Sequence, residues 1–152
     1  MADDGLGLAA LERLRTEWST PEDLELVDGG TWGMSLLPLI EDADRVLLLD
    51  AVRRGDEPGT LHVMEREDLP RYLSTRLSPH QVDLRDVLAL AELRGTLPGD
   101  TVAIGLEPAR VELSNEISDV LRVRLDDMVD TAVARLVAWG HQVVPVAEAA
   151  RA

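Results

Sequence analysis

Four consecutive apolar residues, Val46-Leu47-Leu48-Leu49, run directly into an acid, Asp50. A short uninterrupted apolar run reads as a strand buried on both faces, the kind found at the parallel centre of an α/β sheet. Asp50 sits where that strand emerges. In open α/β sheets, ligands and chemistry gather at the carboxyl ends of strands. An Asp in this position can equally cap a turn, so the residue taken alone leaves both readings open.

Helical and strand patterns alternate around this run. Leu8, Leu11, Leu14 and Trp18, with Ala10, recur at spacings of three and four and predict a helix over 8–18. Asp3 and Asp4 precede it, where negative charge suits a helix N-terminus. Leu24 to Asp28 predicts a short strand, closed by Gly29-Gly30-Thr31-Trp32-Gly33. Met34 to Ala43 reads as helical, with Pro38 accommodated near the first turn. Thr60 to Met64 is a further strand. The connection before it is too short for a helical crossover, so this strand is expected to turn back antiparallel at a sheet edge. His62 lies mid-strand and reads as a pleat position with one face wet.

Glu65 to Leu73 is a charged segment, read as a short helix interrupted at Pro70. A helix over 83–94 carries Leu84, Val87, Leu88, Ala91 and Leu93, and Gly95 supplies its stop. Thr101 to Leu106 is a second buried strand, ended by Glu107-Pro108. Asn115 to Trp139 is the longest helix, with Ile117, Leu121, Leu125, Met128, Ala132 and Leu136 as its core stripe and Gly140 closing it. His141 to Val146 is a last short strand whose Pro145 suits an edge, and 147–152 is expected to fray. This alternation predicts an α/β fold: a three-layer α/β/α sandwich with a twisted, mostly parallel sheet. One domain over 1–146 is expected, with no repeat and no linker.

Charge narrows the function. With 15 basic and 29 acidic residues the net charge is −14, which disfavours nucleic acid and anionic membrane surfaces. No apolar run approaches a membrane span and no signal-peptide pattern opens the chain, so a cytoplasmic location is expected. The absence of Cys removes thiolate nucleophiles and Cys-based zinc sites. The glycine-rich loop at 29–33 lacks the Lys and Ser/Thr ending of a P-loop and the dinucleotide spacing. A G-x-S-x-G elbow is absent.

Three loops carry candidate ligands: an acid from the Asp3-Asp4 pair, Asp50, and His80 in the loop entering the helix at 83. Two carboxylates and an imidazole suit an open metal site with positions left for outside ligands. Six short motifs accompany them in order: Asp3-Asp4-Gly5-Leu6-Gly7, Asp28-Gly29-Gly30-Thr31-Trp32-Gly33, Leu49-Asp50-Ala51-Val52, Glu57-Pro58-Gly59-Thr60, Ser78-Pro79-His80-Gln81 and Gly105-Leu106-Glu107-Pro108. Together they resemble the [NiFe]-hydrogenase maturation proteases over essentially the whole chain. The resemblance implies an endopeptidase that removes a C-terminal extension from the [NiFe]-hydrogenase large-subunit precursor after nickel insertion. It implies that nickel, supplied by the substrate, is met by Asp4, Asp50 and His80. Asp3 and the loop residues Gly29, Gly30, Thr31 and Gly33 would line the same cleft. Asp50, with Asp4, is also the candidate catalytic carboxylate, and metal-assisted hydrolysis and an Asp50 general base both stay open.

The family pattern normally begins with a strand and a Gly-x-Gly-Asn turn ahead of the acid pair. This chain starts at Met1, so an N-terminally truncated domain lacking its first, central strand is expected. Two other functions compete. One is a non-catalytic nickel-binding maturation factor on the same fold. The other is a receiver-like signalling domain, which also uses an acid pair and an Asp at a strand end. Receivers need a Lys for the phosphoryl group, and all fifteen basic residues here are Arg.

Overall fold

The three-and-four spacing at the start of the chain folds as α1 (Leu6–Glu17), with Leu6, Ala10, Leu11 and Leu14 buried. At about 100° per residue these four share one arc. Leu8 falls outside it and is 45% exposed, which removes it from the expected apolar face. Trp18 leaves the helix to begin β1 (Trp18–Ser19). The structure is a computed structural model and describes residues 5–73, 84–109 and 119–149.

The described elements continue as α2 (Gly29–Trp32), α3 (Leu37–Asp42), β2 (Arg45–Ala51), β3 (Leu61–Met64), α4 (Leu69–Leu73) and α5 (Leu84–Arg94). After them come β4 (Asp100–Leu106), α6 (Asp119–Ala138), β5 (Val144–Pro145) and α7 (Val146–Ala149). Residues 24–28 form no strand, contrary to the sequence pattern. Val146, expected to end the last strand, and residues 147–149, expected to fray, close into a helical turn.

The strand order is β2-β4-β3. Arg45, at the start of β2, pairs with Asp100 at the start of β4 at 3.1 Å. Val52, just past β2, donates its N–H to the carbonyl of Leu106 at the end of β4, at 3.0 Å. Like ends meet, so β2 and β4 run parallel. Thr60, just before β3, instead meets Glu107 just after β4, so β3 runs antiparallel at the edge, as its short connection predicts. Its neighbour, however, is β4 and not the strand that precedes it in sequence.

This order corrects the expectation for the apolar run. Among the described residues β2 is an edge strand, and Val46, Leu47 and Leu49 are only half-buried. The strand buried on both faces is β4, whose residues Thr101 to Leu106 are all buried. A strand flanked on both sides loses exposure that an edge strand retains.

The chain divides into two interleaved compact units: Met1–Val27, Leu49–His62 and Ile104–Ala152 make the first, Asp28–Leu48 and Val63–Ala103 the second. In the first, α1 packs against α6. The expected stripe of α6 is buried at Leu121, Leu125, Met128, Ala132 and Leu136, joined by Val129 and Val133. Arg13 of α1 forms an ion pair with Asp126 of α6. β1 pairs antiparallel with β5, Trp18 opposite Pro145 and Ser19 opposite Val144.

In the second unit, α5 buries Val87, Leu88 and Ala91 and packs against α3 and α4. Leu93 lies half a turn away and is 85% exposed, so it leaves the expected face. Arg94 and Thr96 converge on the carboxylate of Glu41.

Both predicted glycine stops are realised by the same local geometry. Gly95 and Gly140 adopt φ of 73° and 98°. Thr96 N–H reaches back to Ala91 O at 2.9 Å, and His141 N–H to Leu136 O at 3.0 Å. These are the six-to-one bonds of a Schellman end, which requires a left-handed residue at the position glycine fills.

Candidate functional site

Asp50 is the penultimate residue of β2 and lies in the first unit. Its Oδ1 accepts the backbone N–H of Ala51 at 2.8 Å, so the carboxylate follows the direction of the chain at the strand end. The backbone there is gripped from two sides. A Cβ on Gly105 of β4 would lie 2.2 Å from the Asp50 carbonyl oxygen and 2.5 Å from Val52 Cγ2. A Cβ on Gly7 of α1 would lie 2.3 Å from the Leu49 carbonyl oxygen. Both glycines permit approaches that no side chain allows, and both close on the peptide preceding or carrying Asp50.

Beyond Asp50 the chain meets a buried carboxylate. Glu107 follows directly on β4, is only 5% exposed, and its Oε1 accepts the N–H of Arg54 at 2.9 Å and of Asp56 at 3.2 Å. His62, in β3 and 7% exposed, brings its Nε2 to 3.1 Å from the same oxygen. An ionised carboxylate only accepts, so Nε2 carries the proton and donates. Asp56 Oδ2 stands 3.6 Å from that nitrogen, an ion-pair distance and not a hydrogen bond.

Asp56, His62 and Glu107 therefore offer three ligand atoms within 4.8 Å of one another, a donor set that suits a divalent cation in type. The hydrogen bonds argue for another use. Glu107 Oε1 already serves two amides and an imidazole, and Oε2 accepts from Arg54 N–H at 3.2 Å. The group is a carboxylate holding a loop.

Burial opposes the Glu107 anion, but the amide of Arg54, the imidazole of His62 and the amide of Asp56 together outweigh it and hold the carboxyl below its ordinary value. The unfolded chain, with a Glu near about 4.3, then takes up the proton first as pH falls. Stability from this group is complete above that value and is lost as pH drops through the lower, folded one. We expect the urea midpoint to fall on acidification below about pH 4.3. Part of that fall should be missing in Glu107→Gln; equal acid sensitivity in the two proteins contradicts the assignment.

Of the residues singled out from sequence, Asp50 is described, whereas Asp3, Asp4 and His80 lie outside the described residues. Gly29, Gly30 and Thr31 form α2 of the second unit, where Asp28 caps the turn by accepting Gly30 N–H at 3.0 Å. Gly33 ends it with a φ of 54°. Gly29 packs under Leu84 and Leu36, which a Cβ would meet at 3.2 and 3.4 Å.

The pairing of His62 with Glu107 is not visible in the sequence, although Glu107 falls in the sixth motif. β3 has one wet face, as expected of a pleated edge strand: Val63 faces solvent, and His62 lies on the buried side with Met64. The only local signal is an acid followed by Pro at a strand end.

A family model described as hydrogenase maturation protease matches residues 8–135. The chain belongs to the hydrogenase maturation protease family. It is 35% identical over 144 residues to the hydrogenase expression/formation protein HupD of Rhodobacter capsulatus, covering 93% of this chain and 69% of that one. It is 27% identical over 146 residues to the hydrogenase 2 maturation protease of Escherichia coli, covering 95% and 89%. Among solved structures, the hydrogenase maturating endopeptidase HybD from E. coli superposes with a TM-score of 0.87 at 26% identity, over 97% of this chain and 92% of that one. The mixed α/β fold is thus the fold of hydrogenase maturation proteases, and the protein is a hydrolase of the protease class. No helix among the described residues of this family member is long and apolar enough to cross a membrane.

Proposed function

We propose that the chain is a cytoplasmic endopeptidase that removes the C-terminal extension of a [NiFe]-hydrogenase large-subunit precursor once nickel is in place. The substrate's nickel is its recognition element, met by Asp4, Asp50 and His80. Membership of the maturation protease family, with an acid at the carboxyl end of β2, is the observation that carries this reading. A protease that must cut once, and only a loaded substrate, gains specificity by contacting the cargo. Carboxylate and imidazole groups can share nickel without a thiolate, and this chain has no Cys. The substrate then keeps its own ligands to the metal.

The test is cleavage of a purified large-subunit precursor, prepared with and without nickel and followed by its size shift. Cutting of the nickel-loaded form alone is the expected result. Cutting of both forms alike removes nickel from the recognition step. Binding without any cutting favours a non-catalytic maturation factor.

A further inference from the structure

Residues 52–60 leave β2 for β3, and they wind about the end of β4. Val52 N–H donates to Leu106 O at 3.0 Å, Gly59 N–H to Glu107 O at 2.8 Å, and Glu107 N–H to Thr60 O at 2.8 Å. Between these backbone bonds, Arg54 and Asp56 turn their amides onto the Glu107 carboxylate at 2.9 and 3.2 Å. His62 Nε2 closes the far side at 3.1 Å. One residue thus holds the bend at 54–55, through its side chain, and the turn and return into β3, through its backbone.

The start of that loop lies beside Asp50. The Asp50 carboxylate accepts the N–H of the next peptide, Ala51, at 2.8 Å, so a shift of the backbone at 50–51 carries the carboxylate with it. That backbone is fixed from upstream by β2 and from downstream by the loop. We infer that Glu107 is a positioning residue for Asp50: its buried carboxylate holds the 54–56 amides, and through them sets the exit of β2 and the aim of the Asp50 side chain. The inference rests on Asp50 being the functional carboxylate of the proposed protease.

Glu107→Leu and Glu107→Gln test it, with Asp50→Asn measured alongside on nickel-loaded precursor. Gln keeps an oxygen that can accept the two amides; Leu offers none. Glu107→Leu is expected to lower kcat by about 10²-fold, the scale of a misplaced reacting group, with little change in KM. Glu107→Gln is expected to recover most of that loss. Hydrogen exchange at residues 52–60 should quicken in the Leu variant and stay near wild type in the Gln variant.

A Leu variant that loses stability but keeps kcat overturns the inference and leaves Glu107 merely structural. A Gln variant as impaired as Leu also overturns it, because charge and not amide acceptance would then be the requirement. If the Leu variant does not fold, Arg54→Pro deletes the 2.9 Å donor and leaves the carboxylate its other partners; an unchanged kcat there counts against the inference. Wild-type processing by Asp50→Asn sinks the functional reading itself, whatever Glu107 does. An inactive Asp50→Asn beside a fully active Glu107→Leu sinks only the positioning role.

Discussion

Asp50→Asn is expected to reduce precursor processing by about 10²-fold or more, the usual contribution of a positioned acid–base group, while leaving the protein folded. The amide keeps an oxygen at the place of Oδ1, so the 2.8 Å bond from Ala51 N–H can persist. The stability change should therefore stay below about 1 kcal/mol, the net worth of a typical hydrogen bond. What the substitution removes is the charge and basicity of the carboxylate: general-base chemistry requires the base, and a neutral amide oxygen is a weaker nickel ligand than a carboxylate. The paired measurement of cleavage rate and urea midpoint decides it. An Asn variant that processes normally shows that Asp50 only ends a strand.

Gly105→Ala should produce the opposite pattern, a loss of stability first. The added Cβ would sit 2.2 Å from the Asp50 carbonyl oxygen. That oxygen belongs to the backbone, so no rotamer change relieves the contact. Overpacking a close-packed site costs about 1–3 kcal/mol, and a collision with main chain belongs at the upper end of that range. Relief by sliding β2 off β4 would also break the Val52 to Leu106 bond and shift Asp50. The urea midpoint should drop at unchanged slope, and processing by the remaining folded protein should fall as well. A variant with wild-type stability would mean that the two strands are not in this register.

The two substitutions separate the roles that converge on one peptide. Asp50 supplies charge at a strand end, and Gly105 supplies the space that lets the strand end lie there. The Glu107 carboxylate adds a third element, the loop that leads the chain away. None of this depends on the receiver-like alternative, which lacks its phosphoryl-binding Lys in a chain whose fifteen basic residues are all Arg.

Much of the fold is legible along the sequence, where the physics is local. The helices follow the spacing of their apolar residues, and α5 and α6 end where glycine can adopt the left-handed turn. Leu8 and Leu93 fall off the expected faces because apolar spacing fits a helical face loosely, and only the angle about the axis separates inside from outside. Residues 24–28 look like a strand in composition, yet a strand exists only by pairing, and no strand among the described residues pairs with them.

By itself, the sequence determined the order and type of most elements, the family through its six motifs, and the acid at the end of β2. Each depends on residues within a few positions of one another. The tertiary structure decided that β4, and not the apolar run at 46–49, is the strand buried on both faces, and that β3 pairs with β4. It also decided that Glu107 gathers the amides of Arg54 and Asp56 and the ring of His62, partners 53, 51 and 45 positions away. Strand order and such contacts are set by competition among long-range pairings. No local spacing records the outcome, which is why the acid at the strand end is visible in the sequence and the contacts that hold that strand end are not.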